Sequence, residues 1–362
     1  MSLTVNVPIN PVSFGQISTL FLRELHKRNQ NVNIFPIGNN IDLSTQSNID
    51  QSFVDWIQSS INKSYSKHNR NDPSFKLWHL NGSLESYSNK QVLLSFYELD
   101  SPTKEEVNVV KNNHKVLFSS EYTVNIFKSL GCDNVYYCPL AFDKYNFSKT
   151  NKVYSNGERI TFNLVGKLEK RKNHKKVLSA WIKKYGNDKR YTLQCSIYNT
   201  FLKPEDQSAL IAQVLDNKNY FNIQFLGFMG QNALYNDYLN SADIVIGMSG
   251  GEGWGLPEFQ SVALGKYAIV LDVNGYKSWA NKENSILINP SEKIEAYDNM
   301  FFRKDQPFNQ GNIFTFDEDE FITGCEKAIE QVRINSVNAN GLKLQDQFSS
   351  ENMADQILNH LK

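Results

Sequence analysis

Residues 244–265 confine this chain to a narrow set of folds. The apolar run Ile244-Val245-Ile246 is followed by glycines at 250, 251, 253 and 255, then by Leu256-Pro257-Glu258-Phe259-Gln260-Ser261-Val262-Ala263-Leu264. Pro257 suits the first turn of a helix. The glycines let the backbone reach positive φ and pass close to a ligand. The pattern is strand, tight turn, helix, with free N–H groups at the helix start aimed where an anion can sit. Glu252, among those donors, suits neutral hydroxyls and not phosphate. The loop thus fits a ligand that is sugar at one end and phosphate at the other, although a plain glycine-rich turn would look the same. The spacing is Gly-x-Gly-x-Gly, not the dinucleotide fingerprint, and no P-loop Gly-Lys-Ser/Thr occurs, so nicotinamide chemistry has little support.

Strand and helix patterns alternate along the whole chain. Leu3-Thr4-Val5-Asn6-Val7, a helical stretch at Ile17–Leu25 and Val32-Asn33-Ile34-Phe35 form a β-α-β unit, the building block of a parallel sheet. Further strands are expected at 76–80, 91–96, 115–118 and 135–138. A polar stretch at 146–157 reads as a linker. Strands then resume at 160–165, 191–195, 223–226, 244–246 and 267–271, separated by helices at about 173–186, 204–216, 231–241 and 257–264. The expected architecture is α/β, with two Rossmann-like domains, 1–150 and 151–344, facing each other across a cleft. Ligands of such sheets bind outside the carboxyl ends of the strands.

Composition sets limits. Apolar residues make up 40% of the 362 and aromatics 12%, which excludes a disordered chain. No apolar run approaches the roughly 18 residues of a membrane span, and the first residues lack the pattern of a signal peptide. A soluble, cytoplasmic protein is expected. Cys132, Cys138, Cys195 and Cys325 lack zinc spacing and read as free, buried thiols.

The net charge of zero hides an asymmetry. Residues 152–190 carry 12 basic and 3 acidic groups, against 14 and 13 before them and 12 and 22 after. The excess centres on Val165-Gly166-Lys167-Leu168-Glu169-Lys170-Arg171-Lys172-Asn173-His174-Lys175-Lys176, a strand end, a turn and a helix start. It reads either as a solvated basic face or as an anion site. Ordering each long side chain opposes folding by up to about 2 kcal/mol, so most of these charges belong in solvent. Lys167 and Lys172 are the two read as site residues, with Lys170, Lys175 and Lys176 left to water.

With these motifs in order, the chain resembles the retaining nucleotide-sugar glycosyltransferases of the GT-B fold, specifically glycosyltransferase family 4. The likeness rests on Val165-Gly166-Lys167 with Arg171-Lys172-Asn173, on Phe225-Leu226-Gly227, and on Tyr238-Leu239-Asn240-Ser241-Ala242-Asp243-Ile244. It continues in Glu252-Gly253-Trp254-Gly255-Leu256-Pro257 and Ala263-Leu264-Gly265-Lys266. The tail resembles that family's last helix, which implies that about 345–362 packs back on the first domain. In the first half, Phe96-Tyr97-Glu98-Leu99-Asp100, Ser119-Ser120-Glu121-Tyr122 and Cys138-Pro139-Leu140-Ala141-Phe142-Asp143 fit an acceptor domain.

The resemblance implies that Lys167 and Lys172 hold the donor diphosphate and that Glu252 contacts donor sugar hydroxyls. The backbone at Gly253, Trp254, Gly255 and Leu256 would lie against sugar and phosphate. The family's second glutamate is Gln260 here, which keeps a ribose acceptor oxygen but loses its charge. Glu258, two helix positions away, points about 200° around the axis. His79 is placed to reach the donor sugar, Glu98 to touch donor or acceptor, and Gly15 to let the backbone approach the diphosphate. The implied activity is retaining, metal-independent transfer of a hexosyl or pentosyl group from a nucleotide-diphosphate sugar, with no cofactor. The acceptor is open among glycan, lipid-linked sugar, protein and modified nucleic-acid base. A nearly neutral first half gives no strong sign of nucleic-acid or membrane binding. A sugar-nucleotide epimerase of the same fold and a catalytically silent nucleotide-sugar binder are the alternatives.

Overall fold

A computed structural model describes residues 2–38, 41–150, 152, 154 and 159–362. The first half builds a parallel sheet from β1 (Leu3–Pro8), β2 (Val32–Ile37), β3 (Ser74–Leu77), β4 (Gln91–Ser95), β5 (Lys115–Phe118) and β6 (Val135–Tyr137), in the order β2-β1-β3-β4-β5-β6. β1 sets the register, placing Val5 opposite Ile34 on one side and Phe75 on the other. Its six residues are all buried, as expected of a strand covered on both faces.

The second sheet uses β7 (Ile160–Val165), β8 (Tyr191–Ser196), β9 (Ile223–Phe225), β10 (Ile244–Gly247), β11 (Tyr267–Leu271) and β12 (Ile286–Ile288), in the order β12-β11-β10-β7-β8-β9. In each sheet the chain reverses direction beside its first strand, between β1 and β3 and between β7 and β10. Such switch points open crevices at strand carboxyl ends. They place the loops after Pro8, Leu77, Val165 and Gly247 where a ligand can be gripped.

Two features tie the halves together. The Ser350–Leu361 helix returns to the first sheet's side, where Met353, Ala354 and Ile357 share a core with Leu20 and Phe21. Ser350 donates to Glu24 at 2.8 Å. An antiparallel hairpin, β13 (Pro290–Glu295) and β14 (Asn312–Phe316), was not anticipated. Its Ala296, Phe302 and Ile313 are buried with Leu93, Tyr97 and Phe118 of the first half. Lys293 pairs with Asp100 at 2.8 Å, and the Asn309 amide donates to Glu106 at 2.8 Å. Burying a side chain the size of Phe302 or Ile313 adds about 1.5–3 kcal/mol, so this is a substantial attachment.

Several sequence expectations shift. β3 ends at Leu77, which leaves His79 and Leu80 in a loop. In the stretch read as a linker, Asn146 and Phe147 are buried; Asn151, Val153 and Ser155–Gly157 lie outside the described residues. All four cysteines are free and buried. Among the described residues no helix is long and apolar enough to cross a membrane.

Candidate active site

The glycine-rich turn after β10 meets the basic loop after β7. Gly255 adopts φ +82, and a Cβ there would lie 2.3 Å from the Tyr276 ring. Only glycine satisfies both conditions. Leu256–Ala263 then forms the helix, with Pro257 in its first turn. Across the cleft, a Cβ on Gly253 would lie 2.9 Å from that of Phe96, and Ser119 donates to the Gly253 carbonyl at 2.7 Å. The turn is therefore clamped between the two sheets.

Five charged side chains interlock there. Glu252 Oε1 accepts from Arg171 Nη1 at 2.9 Å and from the Lys172 ammonium. Arg171 also donates through Nε to Glu169 at 2.9 Å, through Nη1 to the Gly251 carbonyl at 2.7 Å, and pairs through Nη2 with Glu98 at 3.1 Å. These contacts engage all three guanidinium nitrogens and four of the five N–H donors, whereas Lys172 makes one bond, to Glu252, among the described residues and retains two of its three N–H donors. Arg171 is a positioning residue here, and Lys172 has donors to offer.

The charges are buried, and their pairing decides their ionisation. Burial pushes the Glu252 carboxyl up, but Lys172 and Arg171 outweigh it and hold it at about 2. Burial depresses the Lys172 ammonium, yet Glu252 and Glu258 raise it above its ordinary value. For Glu98 and Glu258 burial wins and both are raised, with Arg171 and Lys172 respectively opposing the shift.

The other anticipated residues lie at varying distances from this cluster. Lys167 has a 43% exposed side chain, against 7% for Lys172; it pairs with Glu169 at 3.0 Å and sits over the Phe301 ring at 4.7 Å. Lys170 and Lys176, expected to be solvated, instead reach the hairpin: Lys170 donates to the Glu295 and Tyr297 carbonyls, and Lys176 to Thr315. Gln260 is buried, and its Oε1 has no partner among the described residues. The Trp254 indole packs against Phe259 and Phe348.

His79 stacks on Phe14 at 4.5 Å. Burial lowers its pKa, helped by the charge of Lys167, so it is neutral at pH 7. Gly15 lies inside the Ser13–Lys27 helix and not in the loop before it. A Cβ there would sit 2.0 Å from the Asn10 carbonyl oxygen, so the close neighbour that requires glycine is the chain itself. Arg171 as the hub escaped the sequence reading. Its signal was its place in the basic loop, between Glu169 and Lys172.

Comparison with known proteins now bears on this geometry. Residues 147–300 match the family described as glycosyl transferases group 1. No curated protein matches the sequence. Among solved structures, HepE from Anabaena in complex with UDP-glucose is 14% identical, with a TM-score of 0.69 over 99% of this chain and 98% of that one. Sucrose-phosphate synthase from Thermosynechococcus elongatus is 12% identical, with a TM-score of 0.68 over 99% and 98%. A glycosyltransferase from Rickettsia africae is 13% identical, with a TM-score of 0.68 over 100% and 97%. The fold is GT-B. Within it, residues 147–300 carry a glycosyl transferases group 1 region, the class to which the sequence resemblance pointed.

Proposed function

We propose that this protein is a retaining glycosyltransferase of the cytoplasm, which moves a hexosyl or pentosyl group from a nucleotide-diphosphate sugar to an acceptor hydroxyl. The observation that carries this reading is the Glu252 carboxylate, fixed by Arg171 and Lys172 at the mouth of the Leu256–Ala263 helix.

As the bond from the anomeric carbon to the diphosphate breaks, negative charge grows on the departing phosphate and positive charge on the sugar ring. Stabilising that phosphate is the main electrostatic task. Lys172 spends its remaining N–H donors on it while held by Glu252, and the helix start adds its backbone N–H groups. Lys167, outside the buried cluster, supplies a second cation by swinging from Glu169. Glu252 faces the sugar hydroxyls, and the unpartnered oxygen of Gln260 accepts from the ribose. The Gly253–Leu256 backbone lies along the donor. His79, neutral, faces the sugar from the first sheet. Same-face attack retains configuration without a side-chain nucleophile, and no metal or cofactor is assigned to the step.

The test is donor turnover with UDP-, GDP-, ADP- and TDP-sugars, with product analysis to separate transfer or hydrolysis from epimerisation. Lys172→Ala and Glu252→Ala should each cut turnover at least about tenfold, roughly 1.4 kcal/mol of barrier. Near-normal turnover in both variants would sink the assignment.

A further inference from the structure

Lys76 is a second buried cation, in the middle of β3 and away from the Glu252 cluster. Its residue is 3% exposed. The ammonium donates to the Gly82 carbonyl at 3.0 Å and the Glu85 carbonyl at 2.7 Å, which leaves one N–H over. Among the described residues no carboxylate lies within 4.0 Å of it; the charge of Glu85 acts on it from farther away. A buried charge without a counter-ion is costly, and proteins normally pair such groups.

The ammonium also borders space. Lys76, Gly82 and Glu85 line a cavity of about 600 Å³, together with Asn6, Trp78 and Tyr87. Asn6 uses its amide N–H on the Phe35 carbonyl, which leaves its oxygen as an acceptor for a hydroxyl. Tyr87 is held flat against Phe35, with ring centroids 3.9 Å apart, so two aromatic residues stand at the wall beside a lone cation. Trp78 also borders a second cavity of about 290 Å³, lined by His79 and Phe96. Phe96 is the residue that meets Gly253. A line of residues thus runs from Lys76 through Trp78, His79 and Phe96 to the turn that carries Glu252.

We propose that the acceptor is a sugar bearing an oxyanion, phosphate or carboxylate, with the anion on Lys76 and the ring against Trp78 and Tyr87. This rests on the transferase reading above. In the step, an acceptor hydroxyl oxygen bonds the anomeric carbon, the bond from that carbon to the diphosphate oxygen breaks, and the hydroxyl proton leaves on the nucleoside diphosphate. The oxyanion at Lys76 is unchanged.

Binding to the full chain by calorimetry tests this without any donor, using glucose 6-phosphate, glucuronate and glucose as probes. At least one anionic sugar should bind ten times or more tighter than glucose, and the preferred one identifies the oxyanion. Lys76→Gln should erase that advantage while UDP affinity stays within twofold. Should that variant fail to fold, Tyr87→Ala at the half-exposed rim should weaken the preferred anionic sugar at least threefold and leave UDP unaffected. Equal binding of glucose and both anions, or unchanged anion affinity in the variants, overturns the site. Intact anion binding in a chain with no donor turnover overturns the transferase reading and leaves the site standing.

Discussion

Two lysines with little exposed surface, Lys172 and Lys76, differ in what surrounds them. Lys172 sits on a carboxylate that also serves Arg171, inside a cluster that supplies its own counter-charges. Lys76 sits on two carbonyls. Burial opposes the charge of both, yet the Lys172 ammonium ends above its ordinary value and the Lys76 ammonium below. The contrast shows that a buried cation's neighbours, more than its depth, decide whether the fold depends on it. Where counter-charges belong to the chain, removing one strands the rest. Where none is present, the charge burdens the free protein and is relieved by a ligand.

The largest expected effect breaks the first of these environments. Glu252→Ala leaves Lys172 without its bonded partner and Arg171 short of one, and loss of one member of a buried pair destabilises by about 3–5 kcal/mol. Lys76→Gln removes an unpaired charge at the expense of one or both carbonyl contacts, which offset one another to within about 1–2 kcal/mol. Urea denaturation of the two variants should show the first well below wild type and the second close to it. Equal losses would erase the distinction.

A smaller effect appears in acid. The Glu252 carboxyl protonates near 4.5 in the unfolded chain and at about 2 in the folded one. The unfolded state therefore takes up the proton first, and the contribution of Glu252, full above pH 4.5, is lost as pH falls toward 2. The melting temperature should decline over that window in wild type and less steeply in Glu252→Gln. An identical acid slope in both would show that Glu252 is not held by its two cations.

Much of this was legible in the amino-acid order. The twelve strands of the two parallel sheets are short apolar runs, and eleven of them were recognisable from that pattern alone. Ile286–Ile288 was the one not recognised. The Glu252 turn was visible because glycine spacing is a backbone requirement written directly in sequence. The 290–316 hairpin was not visible. β13 is polar and mostly exposed, so it lacks the alternation that marks a strand, and the connecting loop reads as Asn- and Asp-rich coil. Its attachment depends on a few apolar side chains whose partners lie about two hundred residues earlier. The hub role of Arg171 was hidden for the same reason: its fork joins Glu98, Glu169 and Glu252, which only the folded chain assembles. Lys76 had a local signal, a lysine inside Phe75-Lys76-Leu77-Trp78, but a lysine there does not announce whether it points to solvent or into the sheet.

The hairpin has a consequence for how the molecule comes apart. Because Phe302 and Ile313 complete the apolar interior beneath Tyr97 and Phe118, neither sheet owns a finished core. The return of Met353 and Ile357 to the first sheet shares out the other core in the same way. Heat should therefore meet a single cooperative body, giving one calorimetric transition whose van't Hoff and calorimetric enthalpies agree. Two resolved transitions would mean that the shared interiors do not couple the halves.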